Sequence, residues 1–431
     1  MSAAQAQRNE SEAHIARRHG GMKARRCLWI SRDIPFPQDA GDRIYSANLA
    51  ASLARAGVDV RFLGYLQGDA RQVPDDWVTE WLPVSDAKRN AHLALFSRYP
   101  RIAAMHATPS YRKLLQQQLS ESWDAIVLDG YGSGWALSQC LAARRHTAGK
   151  PALIYVSHNH EATVWRAMLD ATGPALNRSL NRSLKRLGIW QNYRKTCVLE
   201  RELAESADLV TTITEEDARA YAAQHSSPAE LQRLVLTPGY SGRSRIQRRI
   251  TEATPRHVLM MGSFRWLIKQ ENLRQLLTVA DSIFALHGIT LDVIGDMPQA
   301  LLSELQSQSK SARFHGFVDD PSSLLDQARI ALVPEAVGGG FKLKLLDYVF
   351  NRIPVATLTA AAAGLPAGLQ HYTISCPDLE SLTRAVVHDI DSIDKLNHLQ
   401  DQAYNHALPL FRWDARGERL AGVIEQLRTF P

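Results

Sequence analysis

The stretch "VGGGFKLKLLDY", residues 337–348, places Gly338, Gly339 and Gly340 ahead of Lys342 and Lys344, with Asp347 three residues after the second lysine. It follows an apolar run, "RIALVPE", so the glycines fall in the turn at the carboxyl end of a predicted strand. A helix then opens near Phe341 or Lys342, with Leu343, Leu346, Val349 and Phe350 as its apolar stripe. A helix start offers unpaired N–H groups and a partial positive charge, and glycines let an anion approach the backbone. The lysines add full charges, and Asp347, on the helix face of Lys344, is within reach of a sugar hydroxyl. The combination suits a diphosphate and its ribose; a flexible loop with solvated lysines is the other reading of the same composition. The spacing is neither GxxxxGK(S/T) nor GxGxxG, which counts against ATPases and dinucleotide dehydrogenases.

Other strand ends carry reactive side chains. "YVSHNHE", residues 155–161, offers His158, His160 and Glu161 for metal binding, for base catalysis or for contact with a sugar. Without HExxH spacing, metal is the weakest of these. Asp129, in "LDGYGSGWAL", either lines a binding surface or belongs to a plain turn. There is no GxSxG elbow. The four cysteines, Cys27, Cys140, Cys197 and Cys376, form no CxxC pair, which argues against a zinc site or a disulfide framework and suits a reducing cytosol.

The stretch 165–201 carries Arg166, Arg178, Arg182, Lys185, Arg186, Arg194, Lys195 and Arg201 against Asp170 and Glu200. Leu176, Leu180, Leu184 and Leu187 recur within it at helical spacing. A helix of this kind either lies on an anionic membrane surface or packs its leucines inward and leaves its arginines solvated.

The elements that must position these residues alternate. "RCLWISRD", "VDVRFLGY", "DAIVLDG", "PALIYVSHN", "ADLVTTIT" and "QRLVLTPG" read as strands between amphipathic helices. After a polar, basic interval, "HVLMMGSF", "ITLDVIGD", "ARFHGFV", "RIALVPE" and "IPVATLT" repeat the pattern. Near-continuous apolar strands separated by helices predict parallel sheets covered on both faces: an α/β chain of two doubly wound, Rossmann-like halves. The boundaries read as a disordered lead over 1–24, a first domain over 25–240, a linker over 241–256, a second domain over 257–409 and a closing helical segment over 410–431. The length of 431 residues, with 45% hydrophobic and 22% charged, supports two globular cores. No apolar run reaches the roughly 18–20 residues of a membrane-spanning helix. The start lacks the apolar middle of a secretion signal, and Met22 is a candidate second start. These features predict a cytoplasmic location, with attachment to the membrane's cytoplasmic face through 165–201 as an option. The net charge of +6 allows an anionic partner. Basic residues without interleaved stacking aromatics argue against nucleic acid.

The segment "GGGFKLKLLDYVFNRIPVATLTAAAAGLP" resembles the donor-binding segment of GT-B glycosyltransferases of the large GT4-like group, in which G-x-G-x-(R/K)-x-K-x-x-E precedes a P-V-V strand. Gly338, Gly340, Lys342, Lys344 and Pro354 match, and Asp347 stands in place of the usual Glu. The resemblance implies two domains facing a central cleft, with a C-terminal helix returning to the first. It implies a donor site of Gly338, Gly339, Gly340, Phe341, Lys342 and Asp347, with Lys344 on the diphosphate. Many members carry a first Glu eight residues before the second; here that position is Gly339, and Glu335 lies nearby but out of register. "MGSFRWLIKQENLRQLL" is similar to the opening of the second domain, whose Lys269 and Arg265 are the expected diphosphate grips. "DIPFPQDAGDRIYSANLAASL" resembles the segment that brings Gly41 and Arg43 to the donor or acceptor. His158, with Glu161 next, is the implied contact to the transferred sugar.

The expected activity is transfer from a UDP- or GDP-sugar to a carbohydrate or lipid-linked acceptor, with retention, in surface or exopolysaccharide synthesis. No metal and no other cofactor is expected. The alternatives are a nucleotide-sugar 2-epimerase-like isomerase and a non-catalytic nucleotide-binding partner of a polysaccharide complex.

Overall fold

The computed structural model of the chain describes residues 25–429 apart from 85, 92–95, 147–148, 172–179, 228–230, 266, 336–340 and 363. The expected lead and the three glycines Gly338, Gly339 and Gly340 therefore lie outside the described residues. The chain divides into two compact units, Met1–Gly239 with Trp413–Pro431, and Tyr240–Arg412.

In the first unit a parallel sheet has the order β3-β2-β1-β4-β5-β6-β7. Its strands are β1 (Arg25–Asp33), β2 (Val58–Tyr65), β3 (Glu80–Val84), β4 (Ala125–Asp129), β5 (Ala152–Val156), β6 (Leu209–Thr212) and β7 (Arg233–Val235). The second unit repeats the plan as β10-β9-β8-β11-β12-β13. These strands are β8 (His257–Met261), β9 (Thr290–Ile294), β10 (Ala312–Gly316), β11 (Ala328–Val333), β12 (Val355–Leu358) and β13 (Ile374–Cys376). Central strands such as β4, β5 and β11 are buried at every residue, the physical reason that they read as unbroken apolar runs. Each sheet reverses its winding once, between β1 and β4 and between β8 and β11, and such switch points open crevices at the carboxyl ends of the strands.

Two edge strands, β3 and β13, escape sequence reading. "EWLPV" carries a proline and an exposed Glu80, and "ISC" is three residues long, so neither has an apolar run to recognise. The segment expected as a linker, 241–256, is packed onto the second unit instead. Arg245 N–H donates to the Phe350 carbonyl at 2.9 Å, Gln400 Nε2 donates to the Arg248 carbonyl at 2.8 Å, and Ile250 is 1% exposed. Its order comes from backbone groups and arginine-to-carbonyl hydrogen bonds, which leave no periodicity in the sequence.

Six helices matter below: α1 (Gly41–Arg55), α2 (Glu161–Ala171), α3 (Leu180–Ser206), α4 (Leu267–Leu286), α5 (Leu343–Phe350) and α6 (Trp413–Thr429). The last returns to the first unit and lies along α1. Trp413 and Tyr45 meet edge to face at 5.6 Å, and Arg416 Nε donates to the Thr237 carbonyl at 2.8 Å. The helices touch so closely at Gly417 that a Cβ there would sit 2.1 Å from the Ser52 carbonyl oxygen. Backbone cannot yield as a side chain would, so Gly417→Ala is expected to destabilise this unit by about 3 kcal/mol. A lowered calorimetric midpoint checks it; an unchanged one removes this account of the helix's docking.

Candidate active site

In the second unit the chemistry gathers at the switch point. Glu335 lies just beyond β11, 2% exposed. Lys269, on α4, donates from Nζ to its Oε1 at 2.7 Å, and Lys344, on α5, donates to the same oxygen at 2.5 Å. Lys342 Nζ lies 3.8 Å from Oε2. Burial on its own would raise the Glu335 pKa, but Lys344, Lys269 and Lys342 outweigh it and hold the carboxyl at about 2. Burial lowers the pKa of Lys344, helped by repulsion from Lys269 and opposed by Glu335. Two ammonium groups on one carboxylate oxygen leave positive charge in excess, a suitable host for a further anion.

Local structure explains why these groups meet. Tyr348, fully buried in α5, accepts a hydrogen bond from Met261 N–H at 2.7 Å, which ties the lysine-bearing helix to the end of β8. Beyond β8, Gly262 passes so close to Gly295 that a Cβ on the latter would lie 1.6 Å from the Gly262 carbonyl oxygen, and Gly295 holds φ +138°. Gly262 borders the lysines: a Cβ built on it would be 3.6 Å from Lys344 Nζ. Helix α5 starts at Leu343, and its buried residues are Leu345, Leu346, Tyr348, Val349 and Phe350. The single stripe expected through Leu343 is thus replaced by a wider arc, because α5 packs in one cluster with β12 and with Ala403, Tyr404 and Ala407 of the helix behind it.

Asp347 stands one turn along α5, half-buried, with the Tyr240 phenol as partner; burial raises its pKa to about 6 and that hydrogen bond opposes the rise. Tyr240 is stacked flat on Phe350 at 4.3 Å. Phe341 is half-buried beside Phe411. Arg265 does not join the lysines: its side chain is 73% exposed and paired with Asp296. Glu335, noted in the sequence only as out of register, is the residue whose role sequence reading did not supply. Its acid lies twelve residues before Asp347 rather than eight, and only the through-space convergence of α4, α5 and the end of β11 reveals it.

The first unit has its own polar centre, at the ends of β4 and β5. His158 Nε2 and Asp129 Oδ1 are 2.7 Å apart, and Trp29 Nε1 donates to Asp129 Oδ2 at 3.0 Å. Asp129 is thus no plain turn residue; it is a buried counter-ion. Burial would lower the His158 pKa, but the Asp129 charge and hydrogen bond raise it overall, and His158 in turn keeps Asp129 low against its own burial. Glu161 opens α2, where its N–H and that of Ala162 donate to the buried Glu200 carboxylate at 2.8 and 2.7 Å. Burial pushes the Glu161 carboxyl up to about 7, with the Asn159 hydrogen bond opposing. A carboxyl poised there is suited to proton transfer near neutral pH. Gly41 is the exposed first residue of α1. Arg43, two residues on, donates to Asp39 Oδ1 at 2.8 Å and to Gln67. His160 turns away from this centre, with Nδ1 2.6 Å from the Thr163 hydroxyl.

Helix α3 divides its side chains between two environments. Leu199 and Leu203 are buried, whereas Leu187, Trp190 and Val198 are 58%, 43% and 57% exposed. These three share a face with Arg194, whose guanidinium lies 5.3 Å over the Trp190 ring. The expected leucine stripe through Leu176, Leu180 and Leu184 falls outside the residues whose side chains are described. Among the described residues, no helix is long and apolar enough to cross a membrane, and no group of three or more His, Cys, Asp or Glu side chains is placed to hold a metal ion.

Two family models match the sequence, one described as a glycosyl transferase 4-like domain over residues 41–238 and one as glycosyl transferases group 1 over residues 255–391. No curated protein matches the chain. Among solved structures, the chain is similar to HepE of Anabaena in complex with UDP and glucose, with TM-score 0.63 and 13% identity over 93% of this chain and 100% of that one. It is also similar to WaaG, a glycosyltransferase involved in lipopolysaccharide biosynthesis, with TM-score 0.59 and 18% identity over 92% and 99%. The trehalose-6-phosphate synthase OtsA gives TM-score 0.61 and 12% identity over 93% and 99%. At these identities the likeness is one of fold.

The His158–Asp129 pair yields a titration prediction. With His158 raised above its unfolded value, its share of stability is complete below about pH 6.5 and is lost as pH rises through the folded value; Asp129's share is lost as pH falls through its own depressed value. In Asp129→Asn, burial and the Arg32 charge act on the imidazole with only Asp42 opposing them, so the NMR titration midpoint of His158 should fall below the parent's. A midpoint as high as the parent's would show that Asp129 is not the cause.

Proposed function

Since the chain belongs to the GT-B glycosyltransferases of the group 1 and 4-like type, we propose that its second unit binds a nucleotide diphosphate sugar and that the enzyme passes the sugar to a carbohydrate or lipid-linked acceptor. The observation that carries this reading is the pair of ammonium groups, Lys269 and Lys344, on one Glu335 oxygen at the switch point of the second sheet. The UDP and glucose named with HepE support UDP as the first base to test, with GDP second.

In the proposed reaction the bond from the anomeric carbon to the diphosphate oxygen breaks and its electron pair stays on the phosphate. The acceptor oxygen bonds to the carbon from the same face, giving retention, and its proton passes to the departing phosphate. The dominant requirement is stabilisation of charge on the leaving group. Lys269 and Lys344 supply it, with Lys342 beside them, so that no metal or other cofactor is needed in this reading. Asp347 exchanges its Tyr240 partner for the ribose hydroxyls. His158, whose pKa Asp129 raises against the effect of burial, and Glu161 are the sugar-contacting groups of the first unit.

A surface or exopolysaccharide role fits an acceptor held at a membrane. The exposed face of α3, with Leu187, Trp190 and Val198 beside Arg194, supports attachment to an anionic lipid surface on the cytoplasmic side.

Two measurements test the reading. Ligands that bind only the folded state raise the melting temperature, so UDP or GDP should shift the parent protein upward. Lys344→Ala, losing a charge-assisted hydrogen bond of about 2 kcal/mol, should bind roughly thirtyfold more weakly; an undiminished shift would remove the lysines from the donor site. For the membrane, the parent should sediment with phosphatidylglycerol vesicles but not with phosphatidylcholine ones. The double change Leu187→Asp, Trp190→Ala should cut that binding about tenfold or more, and equal sedimentation of parent and variant would refute the α3 surface.

A further inference from the structure

Glu335 poses a question that the proposed reaction leaves unanswered. A site built to attract a diphosphate contains, at its centre, a buried negative charge that competes with it. Lys269 and Lys344 both spend a hydrogen bond on Glu335 Oε1, at 2.7 and 2.5 Å. The side chain is 1% exposed, so the carboxylate does not swing out into solvent to make room. Both ammonium groups hold it in place.

We propose that Glu335 is a specificity-determining residue that subtracts one unit of charge from the diphosphate site and thereby favours the nucleotide sugar over the nucleoside diphosphate released from it. This inference rests on the donor-site reading above and adds a discrimination to it. A nucleotide sugar carries a doubly esterified diphosphate with two negative charges. The released nucleoside diphosphate ends in a free phosphate whose second proton leaves near pH 6, so at pH 7.5 it carries close to three. A site with its full complement of lysine charge would hold the more highly charged product more tightly and release it slowly. A fixed carboxylate bonded to the lysines repels each anion in proportion to its charge, and so weakens the product more than the donor.

Position and chemistry support this over a purely architectural role. An architectural acceptor needs oxygen atoms but no net charge, and Gln would serve. The structure instead has a full negative charge at the cost of burying it, held ionised by the ammonium groups around it. The two roles predict opposite signs. If Glu335 merely gathers the lysines, weakening it lowers affinity for every anion; if it subtracts charge, neutralising it raises that affinity.

The test titrates the full chain at pH 7.5 with inorganic pyrophosphate, UDP and UDP-glucose by calorimetry, for the parent, Glu335→Gln and Glu335→Asp. Gln preserves the shape and one accepting oxygen without the charge; Asp keeps the charge but withdraws it from the ammonium groups. The expected result is that Glu335→Gln binds pyrophosphate and UDP about tenfold or more tightly than the parent, with a gain for UDP-glucose several-fold smaller. Glu335→Asp should fall between them. Equal or weaker binding of UDP by a folded Glu335→Gln variant, or an equal gain for UDP and UDP-glucose, overturns the inference. If the Gln variant does not fold, the Asp variant decides on the same criterion. A parent protein that binds none of the three probes overturns the donor-site reading itself, whereas a parent that binds and variants that fail to discriminate overturn this inference alone.

Discussion

The second unit is organised around one electrostatic constraint: ammonium groups brought together at a strand end repel one another unless a negative charge lies among them. Glu335 resolves it. A single carboxylate, buried beyond β11, gives Lys269 and Lys344 a shared acceptor and holds Lys342 nearby. The lysines come from two parts of the chain, α4 for Lys269 and the start of α5 for Lys342 and Lys344, so the carboxylate also fixes two helices relative to the sheet end. The close passage of Gly262 and Gly295 and the Tyr348–Met261 hydrogen bond serve the same end, since both fix the strand end and the helix that carry these charges.

The first unit solves a different problem on the same topology. Asp129 and His158 are matched one to one, and Trp29 completes the carboxylate's shell, so this centre carries little surplus charge. Both centres nevertheless lie at carboxyl ends of strands beside the point where the winding reverses, β4 and β5 in one sheet, β8 and β11 in the other. Sheet order provides the location; the side chains placed there provide the chemistry. That separation is why a shared fold says little about substrate, and why the two halves differ so much in sequence while repeating one architecture.

How much of this was legible in the sequence follows from what makes a signal local. Central strands announce themselves because burial on both faces demands unbroken apolar runs, whereas β3 and β13, at the edges, make no such demand. Lys344 and Asp347 share a helix face that their spacing of three encodes, and Lys342 was read from its place at the helix start; Lys269 required the family pattern. Glu335 was out of register by four residues, and nothing local marks it as the partner of a lysine that precedes it by sixty-six positions. The 241–256 segment misled for a related reason: polar residues that bind backbone carbonyls look identical, in sequence, to polar residues that bind water.

The exposed face of α3 shows the limit of periodicity from the other side. The sequence offered a leucine repeat and a surplus of arginine, which fits an inward-packed helix as well as a surface one. Burial separates the two cases: Leu199 and Leu203 are in the core, while Leu187, Trp190 and Val198 are not, although all five are apolar residues on one helix. A large aromatic ring left outside, with a guanidinium over its face, is costly in plain water and favourable at an interface that is apolar below and anionic above. Scattered exposed apolar residues need no explanation. Three on one helical face, beside the positive charge of Arg194, form a surface with a direction, which the leucine repeat of the sequence did not specify.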